Sequence, residues 1–547
     1  MAAVGLVATL GLLLPVGGNP AAAGPAATVA DVDDPRPNIV LVVMDDYSMD
    51  LLSTMRRVKE MRRAGAFYRH SYVVDSRCCP SRASLLTGQY PHQTGVLVNH
   101  SVSFPDTGPL GGFYAFEAHG NFERSVNVQL QAAGYTTGFV GKYLNEYEYV
   151  QGRALPPMPP GWSQFNVVFG SAYDGWGYRS TRVVDGAVQV REHPVPPASA
   201  GKAEKDSAYA GRVTSDFALR FLRSHRDDHA PYFLTVAPYS VHPRITEGAF
   251  RNDPLFPPAF RDRGPGKCGE RPCAELDARD LPGFADSQQD NVPRYASGEL
   301  APQWRKGSAG PSADTLTQNL RNRARMAQSI DRMLGRILGV VDDNTYVVLT
   351  SDNGFHLGQH RLGRGKGTPF TSDTRVPLLV VGPGVEPGPR GEVVSNIDLA
   401  PTFEELAGLT PAPYRSGESL VPTFGDLSVT RRDATFLEHL AVSTEGATGD
   451  PDAPFDTAIE RIPSYTAVRT RDALLVRFDL DRTRAGVNHA WEFYDYSRVG
   501  WERTNEYGRP EHADRIGQLA RMIDQFDACS QFVGNDVVPA ECRSIPR

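Results

Sequence analysis

Four short apolar runs each stop at a polar residue that a buried strand would not hold. Asn38–Met44 stops at Asp45-Asp46, Tyr135–Val140 at Gly141-Lys142, Tyr232–Ala237 ahead of His242, and Tyr346–Leu349 ahead of Ser351-Asp352-Asn353. Apolar runs without alternation read as strands covered on both faces, the pattern of a parallel sheet. Helical stretches separate them. Leu51–Ala66 and Ala208–Arg223 are two, and a longer one carries Leu316, Leu320, Ile330, Leu334 and Ile337. Val376–Val381 reads as a further strand, and Asp398 opens a helix that ends near Gly408. Strands alternating with helices predict an α/β fold with a large, mostly parallel central sheet and helices on both faces.

After about Pro411 the pattern changes. Phe436–His439, Thr466–Thr470, Leu474–Phe478 and Trp491–Tyr494 read as short antiparallel strands, with a covering helix around Ile516–Phe526. A chain of 547 residues exceeds a usual single domain. The expected division is a leader over 1–30, a large α/β domain over 36–410 and a smaller C-terminal α+β subdomain over 411–547. Residues 254–312, rich in Gly, Pro and charge, read as a surface insertion. The aromatic stretch Phe169–Tyr178, with Thr181, Val183 and Val184 before Asp185-Gly186, reads as a hairpin.

A formal charge of −7 argues against a general nucleic-acid partner. Val4–Val16 is apolar and Pro20–Gly24 is small, which together read as a secretory leader, although no Lys or Arg precedes Arg36. That run is short for a membrane span, and no later stretch reads as one. The expected location is secreted or extracellular, or else periplasmic or at the cell surface. Cys268 lies near Cys273, and Cys529 near Cys542, so two local disulfides fit an oxidising compartment. The alternative is four free thiols.

In a parallel sheet the carboxyl ends of the strands share one edge, where ligands bind. Asp45, Asp46, Asp352 and Asn353 would supply hard oxygen donors suited to Ca²⁺ or Mg²⁺. Each piece also has a plainer reading. Asp45-Asp46 can start a helix, Asp-Asn-Gly is commonly a turn, Lys142 can be solvated, and His242 beside Pro243 can be a loop histidine. Cys78-Cys79-Pro80-Ser81-Arg82 reads as a helix start, with Pro80 at the first helical position and Gly88 as the C-terminal cap. Cys78 then sits just before a helix N-terminus, where anions are favoured, and Arg82 lies one turn on. This suggests a reactive residue facing a sulfate or phosphate ester. The plain alternative is a capped helix with a chance cysteine pair.

The pentapeptide together with Leu86-Thr87-Gly88 resembles the type I sulfatase motif. Asp45-Asp46, Gly141-Lys142, His242, Ser351–Gly354, Lys366 and Asn396–Thr402 follow the order of that family. Gly141–Tyr147 and Pro160-Gly161-Trp162 are similar to the N-acetylglucosamine-6-sulfatase and extracellular heparan 6-O-sulfatase branch. The resemblance implies an alkaline phosphatase-like fold. It also implies that Cys78 is oxidised to formylglycine by a formylglycine-generating enzyme. Asp45, Asp46, Asp352 and Asn353 would hold Ca²⁺, or Mg²⁺, together with residue 78. Arg82 would steady the aldehyde hydrate, Lys142 and Lys366 would contact sulfate oxygens, and His242 would protonate the leaving alcohol. One hydrate hydroxyl would attack sulfur and the other would expel sulfate. The implied substrate is a sulfated carbohydrate such as N-acetylglucosamine 6-sulfate, or a related sulfate ester.

Two positions depart from the family pattern. Many members carry histidine where this chain has Leu144, and Phe370-Thr371 stands where this branch tends to have Tyr-Glu. A phosphodiesterase or phosphonate monoester hydrolase of the same superfamily, and an inactive carbohydrate-binding relative, remain alternatives.

Overall fold

The computed structural model describes residues 34–545 except 102, 105–107, 185–186, 306–309, 442–461, 482–487, 531–533 and 535. The leader and the Asp185-Gly186 turn lie outside the described residues.

Strand β1 (Asn38–Met44) is central because its alternate side chains are all apolar and bury two different faces. Val40, Val42 and Met44 face one core and Ile39, Leu41 and Val43 the other. Around it lie β2 (Ala66–Tyr72), β3 (Thr136–Gly141), β4 (Gln164–Val167), β5 (Tyr232–Ala237), β6 (Thr345–Ser351), β7 (Leu379–Val381) and β8 (Gly388–Ser395). The spatial order is β8-β2-β7-β6-β1-β5-β3-β4. β7 runs antiparallel to both its neighbours, and the other pairings are parallel.

One face is covered by α1 (Arg56–Ala64), α3 (Ala210–Ser224) and the long α4 (Ala313–Leu338). The other face carries α2 (Cys78–Thr87) and α5 (Leu399–Leu406), with Leu85, Leu86 and Phe403 in its core. The mainly parallel α/β sheet expected from the apolar runs is therefore present. Strands β2, β4 and β8 are not apparent from the apolar pattern, because they carry polar or glycine residues such as Arg69, Asn166 and Gly391. The Leu51–Ala66 helix is divided into a 3₁₀ turn (Met49–Thr54) and α1, and Ala66 already belongs to β2. The strand expected over Val376–Val381 contracts to β7.

The C-terminal strands β9 (Ala434–His439), β10 (Ser464–Thr470), β11 (Ala473–Asp479) and β12 (His489–Asp495) form an antiparallel meander. Helix α6 (Ala513–Ala528) covers one face through Leu519, Ile523 and Phe526. The opposite face packs Leu437, Ala467 and Val476 against Tyr72, Phe370 and Val393 of the main body. Cys529 is bonded to Cys542 and Cys268 to Cys273. Residues 254–312 do more than skirt the surface. Phe256, Ala278 and Arg305 are buried, and Arg305 pairs with Glu492 of β12 at 2.7 Å. Tyr178–Val184 pairs with Ala187–His193 in the expected hairpin.

Candidate active site

The register brings the site together. Met44 lies beside Ser351 where β1 pairs with β6, and Gly141 lies beside Ala237 where β3 pairs with β5. Asp45, Asp352, Lys142 and the loop bearing His242 therefore leave the sheet at one edge. Gly141 has φ +106°, and a Cβ there would lie 2.0 Å from the Ala237 carbonyl oxygen. Only glycine lets the chain turn this close to β5 and deliver Lys142.

Cys78 is the first residue of α2, not the residue before it, and Pro80 falls two positions later; Gly88 caps the helix at φ +64° as expected. The helix is tied down on both sides. Ser81 Oγ donates to the Asp352 carbonyl, and Asn396 Nδ2 donates to the Ser81 carbonyl at 3.0 Å. Cys78 Sγ lies 3.7 Å from Asp45 Oδ1 and 3.9 Å from Asp46 Oδ1. Arg82 reaches back as the helical spacing suggests, but its fork is already engaged. Nε donates to Asp352 Oδ2 at 2.8 Å and Nη1 to the Lys142 carbonyl at 2.7 Å.

The two motif lysines meet the carboxylates. Lys142 Nζ lies 2.9 Å from both oxygens of Asp45. Lys366 Nζ lies 2.6 Å from Asp46 Oδ1 and 2.8 Å from Cys78 Sγ. Asp352 Oδ1 accepts from the Asp46 amide at 3.1 Å, and Asn353 Nδ2 donates to Asp46 Oδ1 at 2.7 Å. All nine expected residues are buried: Asp45, Asp46, Cys78, Arg82, Lys142, His242, Asp352, Asn353 and Lys366. Burial drives the Cys78 thiol well above its ordinary range, so the unmodified side chain is a neutral thiol and a poor nucleophile. Burial also raises the Asp45 carboxyl, even with Lys142 against it. At Asp352 burial is outweighed by Arg82, Lys142 and Lys366, and its carboxyl falls below the usual range.

The donor set fits a hard cation. Oxygens of Asp45, Asp46 and Asp352 and the sulfur of Cys78 lie within 4.8 Å of one another. Asp46 Oδ2 and Asn353 Oδ1 are buried without a hydrogen-bond partner. Leaving such oxygens bare is costly, and hard oxygen donors of this kind suit Ca²⁺ or Mg²⁺. Three carboxylates here face three cationic side chains, so a divalent cation would turn the cluster positive and ready for an anion.

His242 Nδ1 lies 2.8 Å from the Pro243 carbonyl, which can only accept, so Nδ1 carries a proton. Its Nε2 faces Asp46 Oδ2 at 3.6 Å. The Tyr173 ring covers the imidazole, with centroids 4.1 Å apart, and Lys142 Nζ lies 5.1 Å from the centre of the same ring. Three further buried histidines are held by carboxylates: His92 by Glu438 at 2.9 Å, His356 by Asp373 at 3.0 Å and His360 by Glu502 at 3.4 Å. Leu144 is buried among apolar neighbours. Tyr173 and Arg323 escape sequence reading. Arg323, on α4, is wholly buried and donates to the Asp46 carbonyl, although an arginine within a long charged helix reads as solvated.

The sheet, covered on both faces, with carboxylates and lysines gathered at its carboxyl edge, has the architecture expected of an alkaline phosphatase-like hydrolase. The sulfatase family model matches residues 37–409, and the chain belongs to that family. The extracellular sulfatase SULF-1 homolog of Drosophila melanogaster is 30% identical over 405 residues, covering 71% of this chain and 31% of that one. Human N-acetylglucosamine-6-sulfatase is 28% identical over 430 residues, covering 74% and 67%. The chain spans 31% and 49% of the lengths of the fly and Caenorhabditis elegans extracellular sulfatase homologs. Among solved structures, a protein in complex with its substrate D-glucosamine-2-N,6-O-disulfate aligns with TM-score 0.61 at 21% identity, covering 91% of this chain and 98% of the other. The phosphonate monoester hydrolase of Silicibacter pomeroyi aligns with TM-score 0.62 at 18% identity, covering 90% and 95%. Both likenesses concern the fold.

Proposed function

We propose that this chain releases sulfate from sulfate esters of a carbohydrate, with Cys78 converted to formylglycine and Ca²⁺, or Mg²⁺, held by Asp45, Asp46, Asp352 and Asn353. The observation that carries the reading is the meeting, around Cys78, of two lysines, an arginine and oxygen donors that lack hydrogen bonds. Formylglycine at position 78 supplies a hydrated aldehyde oxygen as nucleophile. A bound divalent cation supplies Lewis-acid polarisation of a sulfate oxygen.

The chain's own residues do the rest. Lys366 and Lys142 present ammonium groups to an anion at residue 78, and Arg82 holds the Asp352 carboxylate in place. His242, with Nδ1 donating to the Pro243 carbonyl, would give its Nε2 proton to the departing alcohol oxygen from the doubly protonated ring, leaving the neutral imidazole. Burial of the cluster excludes water and strengthens each charge contact. The relatives named N-acetylglucosamine-6-sulfatase favour a 6-sulfated hexosamine as substrate. Export to an oxidising compartment is supported by the two disulfides and by relatives named extracellular. Among the described residues, no helix is long and apolar enough to cross a membrane. We assign residues 36–410 to the catalytic domain and 411–547 to the C-terminal subdomain.

The test is sulfate release from an aryl sulfate and from N-acetylglucosamine 6-sulfate, with and without chelator. The protein is co-expressed with a formylglycine-generating enzyme, and the peptide across residue 78 is weighed. Converted protein that hydrolyses phosphodiesters or phosphonate monoesters and leaves sulfate esters intact would overturn the reading.

A further inference from the structure

Asp45 and Asp46 are consecutive, yet both approach one sulfur, with Asp45 Oδ1 at 3.7 Å and Asp46 Oδ1 at 3.9 Å from Cys78 Sγ. In an extended strand successive side chains leave on opposite faces, and β1 alternates in this way up to Met44. The alternation breaks at Asp46, which has φ +54°. Rotation about its N–Cα bond into the left-handed region swings Cβ across the chain and brings the second carboxylate beside the first. That region is unfavourable for a residue with a Cβ and persists only where the surroundings hold it.

Two of the holding contacts come from the end of β6. The Asp46 amide donates to Asp352 Oδ1 and the Tyr47 amide to Ser351 Oγ, each at 3.1 Å. A third comes from α4, where Arg323 donates through Nη2 to the Asp46 carbonyl. Among the described residues no backbone amide donates to that carbonyl. Arg323 is wholly buried, and its Nε and Nη1 have no hydrogen-bond partner. Its guanidinium lies 4.5 Å from the centre of the Phe355 ring and 5.7 Å from that of Phe256. Burial lowers its pKa below the usual guanidinium value, with the charges of Asp50 and Asp46 opposing, but a guanidinium stays a cation at neutral pH. Aromatic faces compensate such a charge only in part, so a buried cation with one hydrogen bond is unfavourable on its own account. That one bond ends on the carbonyl at the turning point of the cation-binding set.

We propose that Arg323 is a positioning residue for the divalent cation: by holding the Asp46 carbonyl it keeps Asp46 in the left-handed turn that aims both carboxylates at one point. The proposal rests on the reading of Asp45, Asp46, Asp352 and Asn353 as cation ligands. Positioning and plain charge act in opposite directions here. A guanidinium beside a metal site repels the metal, so if charge were its whole effect, removing it would tighten binding. If it holds a ligand in place, removing it weakens binding.

Calorimetric titration of chelated protein with CaCl₂ reads the sign without any turnover, and therefore apart from sulfate release. Arg323→Met fills the space and can neither donate nor repel. It should weaken Ca²⁺ binding by about 10–100-fold, the usual loss when a group orienting a metal ligand is removed. Arg323→Lys keeps the charge and one donor on a stem one bond shorter, and its affinity should lie between those of the Met variant and wild type. Melting curves of the chelated proteins show which variants are folded; if the Met variant is not, the Lys variant decides alone. Affinity equal to or tighter than wild type in the deciding variant overturns the role, because a residue that only fills the core or only adds charge gives that result. Wild-type protein that binds neither Ca²⁺ nor Mg²⁺ overturns the cation site and this role together. Sulfate release by the converted protein is scored separately, and its absence with the affinities ordered as stated overturns the sulfatase reading and leaves Arg323 in its place.

Discussion

Lys366 Nζ stands 2.8 Å from Cys78 Sγ and 2.6 Å from Asp46 Oδ1, joining residues 288 and 320 positions apart in the chain. The ammonium thus touches both Cys78, proposed to be the modified residue, and Asp46, proposed to be a cation ligand. Replacing Lys366 by Ala should lower kcat on an aryl sulfate by about 10²–10³-fold, the usual loss when one donor to a developing anion is removed. Arg should not restore it, because its planar fork cannot stand in for a point charge in a space closed on all sides. The mass of the residue 78 peptide separates the cases. Unchanged conversion with full activity in K366A would sink the role.

Asp46 Oδ2 and Asn353 Oδ1 need a partner. Adding Ca²⁺ to chelated protein should raise the melting temperature, with stabilisation of about 2.7 kcal/mol at a hundred times Kd. Asn353→Ala should shrink that shift. A melting curve that Ca²⁺ and Mg²⁺ both leave unmoved would count against any cation at this edge.

Tyr173 and Asp174 hold His242 from above. Tyr173 covers its ring, while Asp174 Oδ1 accepts from the amides of Ile245 and Thr246 at 3.0 and 3.2 Å, on the loop that carries it. His242→Ala should cost most with a poor leaving group: about 10²–10⁴-fold on a sugar sulfate and far less on a nitrophenyl sulfate. Tyr173→Leu should show the same leaving-group dependence at smaller amplitude, and Tyr173→Phe should stay near wild type. Equal losses on both esters would remove His242 as the proton donor.

Glu502 is buried beside His360, Arg469, Tyr496 and Thr371. Burial pushes its carboxyl up. The hydrogen bond and charge of His360, with Arg469 and Thr371, outweigh this and bring it down to about 2. A carboxyl lowered on folding adds stability above its unfolded value, near 4.5, and loses it as pH falls through about 2; here the contribution is about 3 kcal/mol. Glu502→Gln should therefore be less stable than wild type in urea at about pH 7, and the gap should narrow as pH is lowered from about 5 to about 3. A gap independent of pH would refute the linkage.

The Cys529–Cys542 bond closes a 13-residue separation at the end of α6. Changing both cysteines to Ser should cost about 3 kcal/mol, by releasing chain entropy in the unfolded state. Urea midpoints of the oxidised protein and the double variant read this directly.

Much of the architecture is legible in the chain because burial on both sheet faces demands uninterrupted apolar runs, as in Asn38–Met44 and Tyr232–Ala237. The polar residues that end those runs stand out for the same reason, and Cys78–Gly88 carries its family likeness in contiguous residues. The sequence by itself determined which side chains could do the chemistry and on which edge of a sheet they would stand. Tertiary structure alone decided which of them touch. The pairings of Lys366 with Cys78 and Arg82 with Asp352, the burial of Arg323 under Asp46, and the cover of Tyr173 over His242 join residues dozens to hundreds of positions apart. Such contacts leave no local period or spacing, because they follow from strand register and from helices packing across the sheet.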